Sequence, residues 1–171
     1  MIVCFDSVGG ASGDMILASL IDLGADIDRI RALTAGLCNA AFTIQVTPRS
    51  GHGMHGTQVH VEVTDVGDPH RDLMVIRKII EGGNLPPAVQ AMSLRTFERL
   101  AVAEAKVHNT TPDRVHFHEV GAVDSIVDIV GANLALHLLN VTEVFVGPLP
   151  VGRGTIECAH GVMPIPVPAT S

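Results

Sequence analysis

His116, His118, Glu119, Asp124 and Asp128 fall within one short stretch, and their types and spacing suit metal or proton chemistry. If the first residues of the stretch are extended, His116 and His118 point to one face, because side chains alternate along a strand. Two imidazoles on one face make a metal chelate. After Gly121 the period changes, and 124–139 reads as a helix with Asp124 and Asp128 one turn apart on the same face. That helix is apolar on nearly every side (Ile126, Val127, Ile129, Val130, Leu134), so it should be buried. Asp124 near its start has an ordinary role available in capping. Asp128 lies well inside the helix, where an ionised carboxylate is costly unless paired, hydrogen-bonded or bound to a cation.

The elements that must position these groups are legible to different degrees. The 171 residues fit one domain, 1–162, followed by an extended proline-spaced segment, 163–171. Hydrophobic residues make up 47% of the chain and aromatic ones 3%, so the core must be built from Val, Ile, Leu and Ala. A formal charge of −7 with no basic run argues against nucleic acid or an anionic membrane as partner. Cys4, Cys38 and Cys158 form no C-x-x-C pair and are odd in number, against a disulfide framework. The apolar runs are too short to span a bilayer, and the N-terminus lacks the basic start of a signal peptide. A cytoplasmic location is the expectation.

In chain order, Ile2–Phe5 reads as a buried strand ending at Asp6. A loop carrying Gly9, Gly10, Ser12, Gly13 and Asp14 follows, then a helix over 15–23 stopped by Gly24. Strand, glycine-rich turn and helix make an anion site, but the loop matches neither phosphate-binding fingerprint. A tight turn with Ser12 or Asp14 as cap fits equally well. Asp6 at a strand's C-terminal end is where open α/β sheets place ligands. A helix over 27–37 precedes strands at 42–47 and 56–64, read as a hairpin. Its glycine-rich loop carries His52 and His55, auxiliary metal ligands at most. A turn at 65–71 contains His70 and Arg71, suited to facing an anion. Helices follow at 72–81 and 88–107, the second opened by Pro86 and Pro87, with His108 structural at its end. Glu143–Val146 is the last clear strand. Cys158 and His160 repeat the i, i+2 spacing, a set suited to nickel, copper or zinc. The fold expected is α/β or α+β, a single domain in which a mixed sheet of about four strands is packed by about five helices.

Three runs carry a resemblance. The loop from Phe5 to Met15, the run His116-Phe117-His118-Glu119-Val120-Gly121-Ala122-Val123-Asp124-Ser125-Ile126-Val127-Asp128, and Cys158-Ala159-His160-Gly161 before a Pro-x-Pro-x-Pro segment together resemble the LarC family. Its members are nickel-insertion proteins of nickel-pincer nucleotide cofactor biosynthesis. The resemblance covers essentially the whole chain and is to the N-terminal part of a longer protein, as a split gene product or a fragment.

The resemblance implies a CTP-dependent nickel insertase (lyase class). Its substrate is a pyridinium bisthiocarboxylate mononucleotide, which receives Ni–S bonds and one Ni–C bond, and the product serves lactate racemase and similar enzymes. CTP, with Mg or Mn, is expected only through the absent C-terminal region, itself a partner; self-association is left open. His116, His118, His160 and Cys158 become candidates for metal handling. Glu119, Asp124, Asp128 and Asp14 become candidates for orientation or proton transfer. Asp6, Ser12, Gly13 and His70 become candidates for the organic substrate. Two other readings stand beside this one: a nickel-delivery module without catalysis, and a divalent-metal hydrolase using His116, His118, Asp124 and Asp128.

Overall fold

The structure is a computed structural model and describes all residues except 39, 52, 65–70, 118–120, 159–160 and 171. It is a mixed α/β chain with five α-helices among the described residues. In order these are β1 (Ile2–Phe5), α1 (Gly13–Asp22), α2 (Ile27–Thr34), β2 (Phe42–Gly51), β3 (Met54–Val63), β4 (Arg71–Asp72), α3 (Leu73–Gly82), α4 (Pro87–Val107), β5 (His116–Phe117), α5 (Val123–Leu138), β6 (Glu143–Val146), β7 (Gly154–Cys158) and β8 (Gly161–Ile165). A short 3₁₀ turn, Pro112–Arg114, precedes β5.

α5 is the central element. Val123, Ile126, Val127, Val130, Gly131, Asn133, Leu134 and Ala135 are all buried, and the helix packs on α1, α2, α4 and β3. Its apolar residues on nearly every side are explained by neighbours on nearly every side. Gly131 marks the closest approach. A Cβ there would sit 3.1 Å from Leu17 Cδ2 of α1 and 3.8 Å from Ile30 of α2. A mid-helix glycine costs about 0.5–1 kcal/mol relative to Ala, and here it lets Leu17 lie against the α5 backbone.

On the opposite side α4 contributes Val89, Leu94, Phe97, Ala101 and Ala105 to the core. Phe97 meets Phe117 edge to face at 6.2 Å between centroids. One buried polar link joins α4 and α5: the Asn133 amide donates to Ser93 Oγ at 3.2 Å and to the Ile129 carbonyl at 3.0 Å. Asn133→Ala leaves the fully buried Ser93 hydroxyl short of a partner and should cost about 1–3 kcal/mol. The apolar pair Ser93→Ala/Asn133→Leu should lie much closer to wild type in a urea melt.

The strands expected as one mixed sheet stand, among the described residues, as separate pairs. β1 runs parallel to β6, and β2–β3, β4–β5 and β7–β8 are antiparallel. The β2–β3 hairpin turns Ile44, Val59 and Val61 into the core, where α1 and α5 lie against β3. Its apolar face is thus satisfied by helices, and alternation in sequence carries no record of lateral neighbours. The histidine loop shrinks too. β2 extends to Gly51 and β3 begins at Met54, because small and polar residues continue the ladder beyond the apolar alternation. Local signals elsewhere set the helix ends. Asp26 accepts from the Asp28 and Arg29 amides at the start of α2, Asp72 caps α3, and Gly24 follows α1 with φ +108°. Of the proline-spaced end expected to be extended, Met163–Ile165 pair within β8 against β7, whereas the chain turns at 168–170, the Thr170 amide donating to the Val167 carbonyl at 2.9 Å.

Candidate active site at the junction of two helices

The N-terminus of α1 meets the second turn of α5. On α5 the helical period puts Asp124 and Asp128 on one side, and that side faces the first residues of α1. Gly13 makes the contact possible, since an added Cβ would lie 2.7 Å from Asp128 Cβ and 3.0 Å from its Oδ2. Asp14 follows at once, and its Oδ1 accepts the Met15 amide at 2.8 Å. The Ser12 hydroxyl donates a short hydrogen bond to that same oxygen. Ser12 occupies the N-cap position but spends its hydroxyl on Asp14 and caps no helix amide.

Asp128 is the unusual group here. Its Oδ1 is buried with no hydrogen-bond partner, although the residue as a whole keeps some contact with solvent. Burial, then the nearby charges of Asp14 and Asp124, push its carboxyl up to about 7, while the Asp14 backbone N–H pulls the other way. Desolvation and like charge both penalise the ionised form. The result is a carboxyl poised between its two protonation states at neutral pH, as a general acid or base requires. Asp124 itself is exposed and holds the Ser125 amide at 2.7 Å.

The remaining expected residues are distributed as follows. Asp6 is exposed just beyond β1, with Oδ1 3.6 Å from the point a Cβ on Gly147 would occupy. It lines a small cleft of about 200 Å³ with Phe5, Ser7, Gly9, Gly10 and Met15, beside the start of α1. His116 is exposed on β5 while Phe117 turns into the core, the alternation expected of an extended segment. His55 is exposed on β3. Cys158 ends β7, its thiol donating to the Gly161 carbonyl at 3.4 Å. His118, Glu119, His160, His70 and His52 lie outside the described residues. Among the described residues no three His, Cys, Asp or Glu side chains stand close enough to hold a metal ion. His116, Asp124 and Asp128 are not grouped by themselves, and His118, the fourth residue of the metal-hydrolase reading, lies outside the described residues. The aspartates at the helix junction form no such group either, and their proximity acts instead on the Asp128 proton.

Two positioning groups are not signalled by charge pattern. Arg71 of β4 donates to the Gly121 carbonyl at 2.7 Å, tying the β4–β5 pair to the turn before α5. Gly121 has no room for a side chain, since a Cβ would lie 2.7 Å from the Phe117 carbonyl oxygen and 3.4 Å from the Arg71 amide. Gly121→Ala must therefore move backbone, and we expect it to cost about 1–3 kcal/mol, read as a lowered thermal midpoint. The signal available in sequence is the glycine itself, standing where strand period changes to helix period.

The profile of the "Nickel insertion protein" family matches residues 3–171. The chain is 45% identical over 175 residues to the pyridinium-3,5-bisthiocarboxylic acid mononucleotide nickel insertion protein of Akkermansia muciniphila, covering 98% of this chain and 43% of that one. It is 44% identical over 165 residues to the protein of the same name from Desulfitobacterium hafniense, covering 96% and 41%. A Citrifermentans bemidjiense protein, provisionally named a nickel insertion protein, is 46% identical over 167 residues, covering 98% and 43%. The chain thus spans less than half the length of the curated relatives it matches. No solved structure matches it.

Proposed function

Because the chain belongs to the nickel insertion protein family, we propose that it is the part of a nickel insertase where the organic substrate meets nickel and loses a proton to Asp128. The substrate taken over from the relatives' names is the pyridinium-3,5-bisthiocarboxylic acid mononucleotide. Two thiocarboxylates flanking one ring carbon bring a metal held by both sulfurs over that carbon. A nickel–carbon bond then requires the ring C–H bond to break. Its electron pair goes to the new bond, and its proton goes to a base. Asp128 fits that part, and the observation that carries the reading is its buried, unpartnered Oδ1 on a carboxyl raised to about 7. A positioned base of matched pKa contributes about 10²–10⁴-fold.

The other residues fall into place around that step. Asp14 and Asp124 hold the Asp128 proton affinity up, and Glu119 is assigned to orientation. Asp6, Ser12, Gly13 and His70 are assigned to the mononucleotide. His116, His118, His160 and Cys158 are assigned to nickel as incoming substrate. CTP and its Mg or Mn are assigned to the additional polypeptide of the longer relatives. The reaction class is a lyase, and the product a cofactor for lactate racemase-like enzymes. A cytoplasmic location goes with this reading; among the described residues no helix is long and apolar enough to cross a membrane.

Incubation of this chain alone with the pyridinium mononucleotide, nickel and CTP should give no nickel-containing product by mass spectrometry. Adding the remaining polypeptide of a longer relative should restore it. Full turnover by the isolated chain would contradict the assignment of CTP. In a calorimetric nickel titration, His116→Ala should weaken binding by about tenfold, or about 1.4 kcal/mol. Unchanged affinity would move nickel away from β5. The exposure of His116 and His55 favours one second reading, a nickel-delivery module. It predicts stoichiometric nickel binding with no affinity for the pyridinium mononucleotide.

A further inference from the structure

The β1–β6 pair is the least covered part of the fold. In a parallel pair, residues in register share a face: Val3 with Val144, Phe5 with Val146, Ile2 with Glu143, and Cys4 with Phe145. Val3 is buried, yet its neighbours on β6 are open, Val144 at 43% exposure and Val146 at 57%. The opposite face presents Ile2 at 61% and Phe145 at 55%. β6 is therefore exposed on both faces, apolar at Val144, Phe145 and Val146, and among the described residues it pairs with β1 alone. Parallel strands occur almost only where both faces are covered, and a two-stranded sheet is marginal by itself. The exposure continues through Leu149 and Val151, so the patch is larger than one side chain.

Something covers this ribbon, and the relatives indicate what. More than half of the length of each longer relative lies outside the stretch that matches this chain. A second copy fits less well, because each copy carries a formal charge of −7 and like-charged surfaces repel. We propose that the β1–β6 ribbon, centred on Phe145, is the docking surface for the polypeptide that the longer relatives carry outside the matched stretch. The proposal takes from the functional reading only that both parts belong to one working enzyme. It adds where they meet. Docking there would bring the second part to the mouth of the Asp6 cleft, since Gly147 directly follows β6 and its amide donates to the Phe5 carbonyl at 2.9 Å.

Hydrogen exchange followed by mass spectrometry tests this without any activity readout. In the full-length Akkermansia relative, the two strands aligned with β1 and β6 should exchange at least about tenfold more slowly than they do in this chain. Equal rates in the two proteins would overturn the proposal. Sedimentation of this chain alone should find a monomer at all concentrations, and Phe145→Asp should leave its thermal midpoint unchanged. A concentration-dependent dimer abolished by Phe145→Asp would assign the ribbon to a second copy instead. A large fall in the midpoint of Phe145→Asp would mean that the side chain serves this chain's own core. Either result overturns the proposal, whether or not the nickel chemistry stands.

Discussion

Asp128→Asn should make the protein more stable at alkaline pH and disable it. The sign follows from the direction of the shift. The carboxyl is raised from 3.8 to about 7 in the folded state, so between those limits the folded form holds more protons than the unfolded form. Stability then falls as pH rises through this window and is flat on either side. The shift sets an upper bound of about 4 kcal/mol on the penalty, and partial solvent contact reduces it to about 2 kcal/mol. Asparagine carries no charge and escapes it. The thermal midpoints of wild type and Asp128→Asn should converge near pH 4 and separate by about 4–8 °C at pH 8, the variant higher. In an insertion assay reconstituted with the second part of a relative, the variant should lose about 10²–10⁴-fold in rate and the wild-type limb near pH 7. A residue that gains stability on neutralisation while losing function is the signature expected of a strained functional group.

Gly13→Ala should be damaging although alanine is the better helix former. The added methyl would sit 2.7 Å from Asp128 Cβ, a distance real Cβ atoms do not tolerate, so α1 and α5 must part or Asp128 must swing. Overpacking of this kind costs about 1–3 kcal/mol, or about 2–12 °C in thermal midpoint for a chain of this size. The carboxylate is displaced as well, and a misplacement of about 1 Å costs about 10²-fold in rate. Asp128→Ala should not rescue the variant's stability, because the closest clash is with Asp128 Cβ itself rather than with the carboxyl. A Gly13→Ala protein with wild-type midpoint and rate would mean that the helices are not held at this spacing.

Much of the fold can be read from the residues because it is local. Gly24, Asp72 and the Pro86-Pro87 pair mark helix ends through backbone preferences that need no tertiary knowledge, and the helix around Asp128 announces its burial by composition. Lateral strand pairing is not local. Only the hairpin of 42–64 announces its own pairing; nothing in Ile2–Phe5 states which strand lies beside it, so the expected single sheet resolves into pairs. The candidate site divides in the same way. Asp124 and Asp128 share a helix face by simple periodicity, and the cost of a carboxylate in that setting points to Asp128 directly. That Gly13 and Asp14 are its neighbours depends on the α1–α5 packing, which spacing cannot supply. Gly131 and the Arg71 link were invisible for the same reason: each is defined by the partner it touches.

With its carboxyl raised to about 7, Asp128 would stand half-protonated at neutrality in the crook of α1 and α5, able to take up the proton that the proposed reaction releases. Carbon-detected NMR of the protein labelled at aspartate carboxyl carbons, titrated alongside Asp128→Asn to assign the resonance, measures this directly. One aspartate should titrate with a midpoint near 7 and disappear in the variant. An Asp128 resonance that titrates in the ordinary carboxylate range, near 4, would contradict its role as proton acceptor.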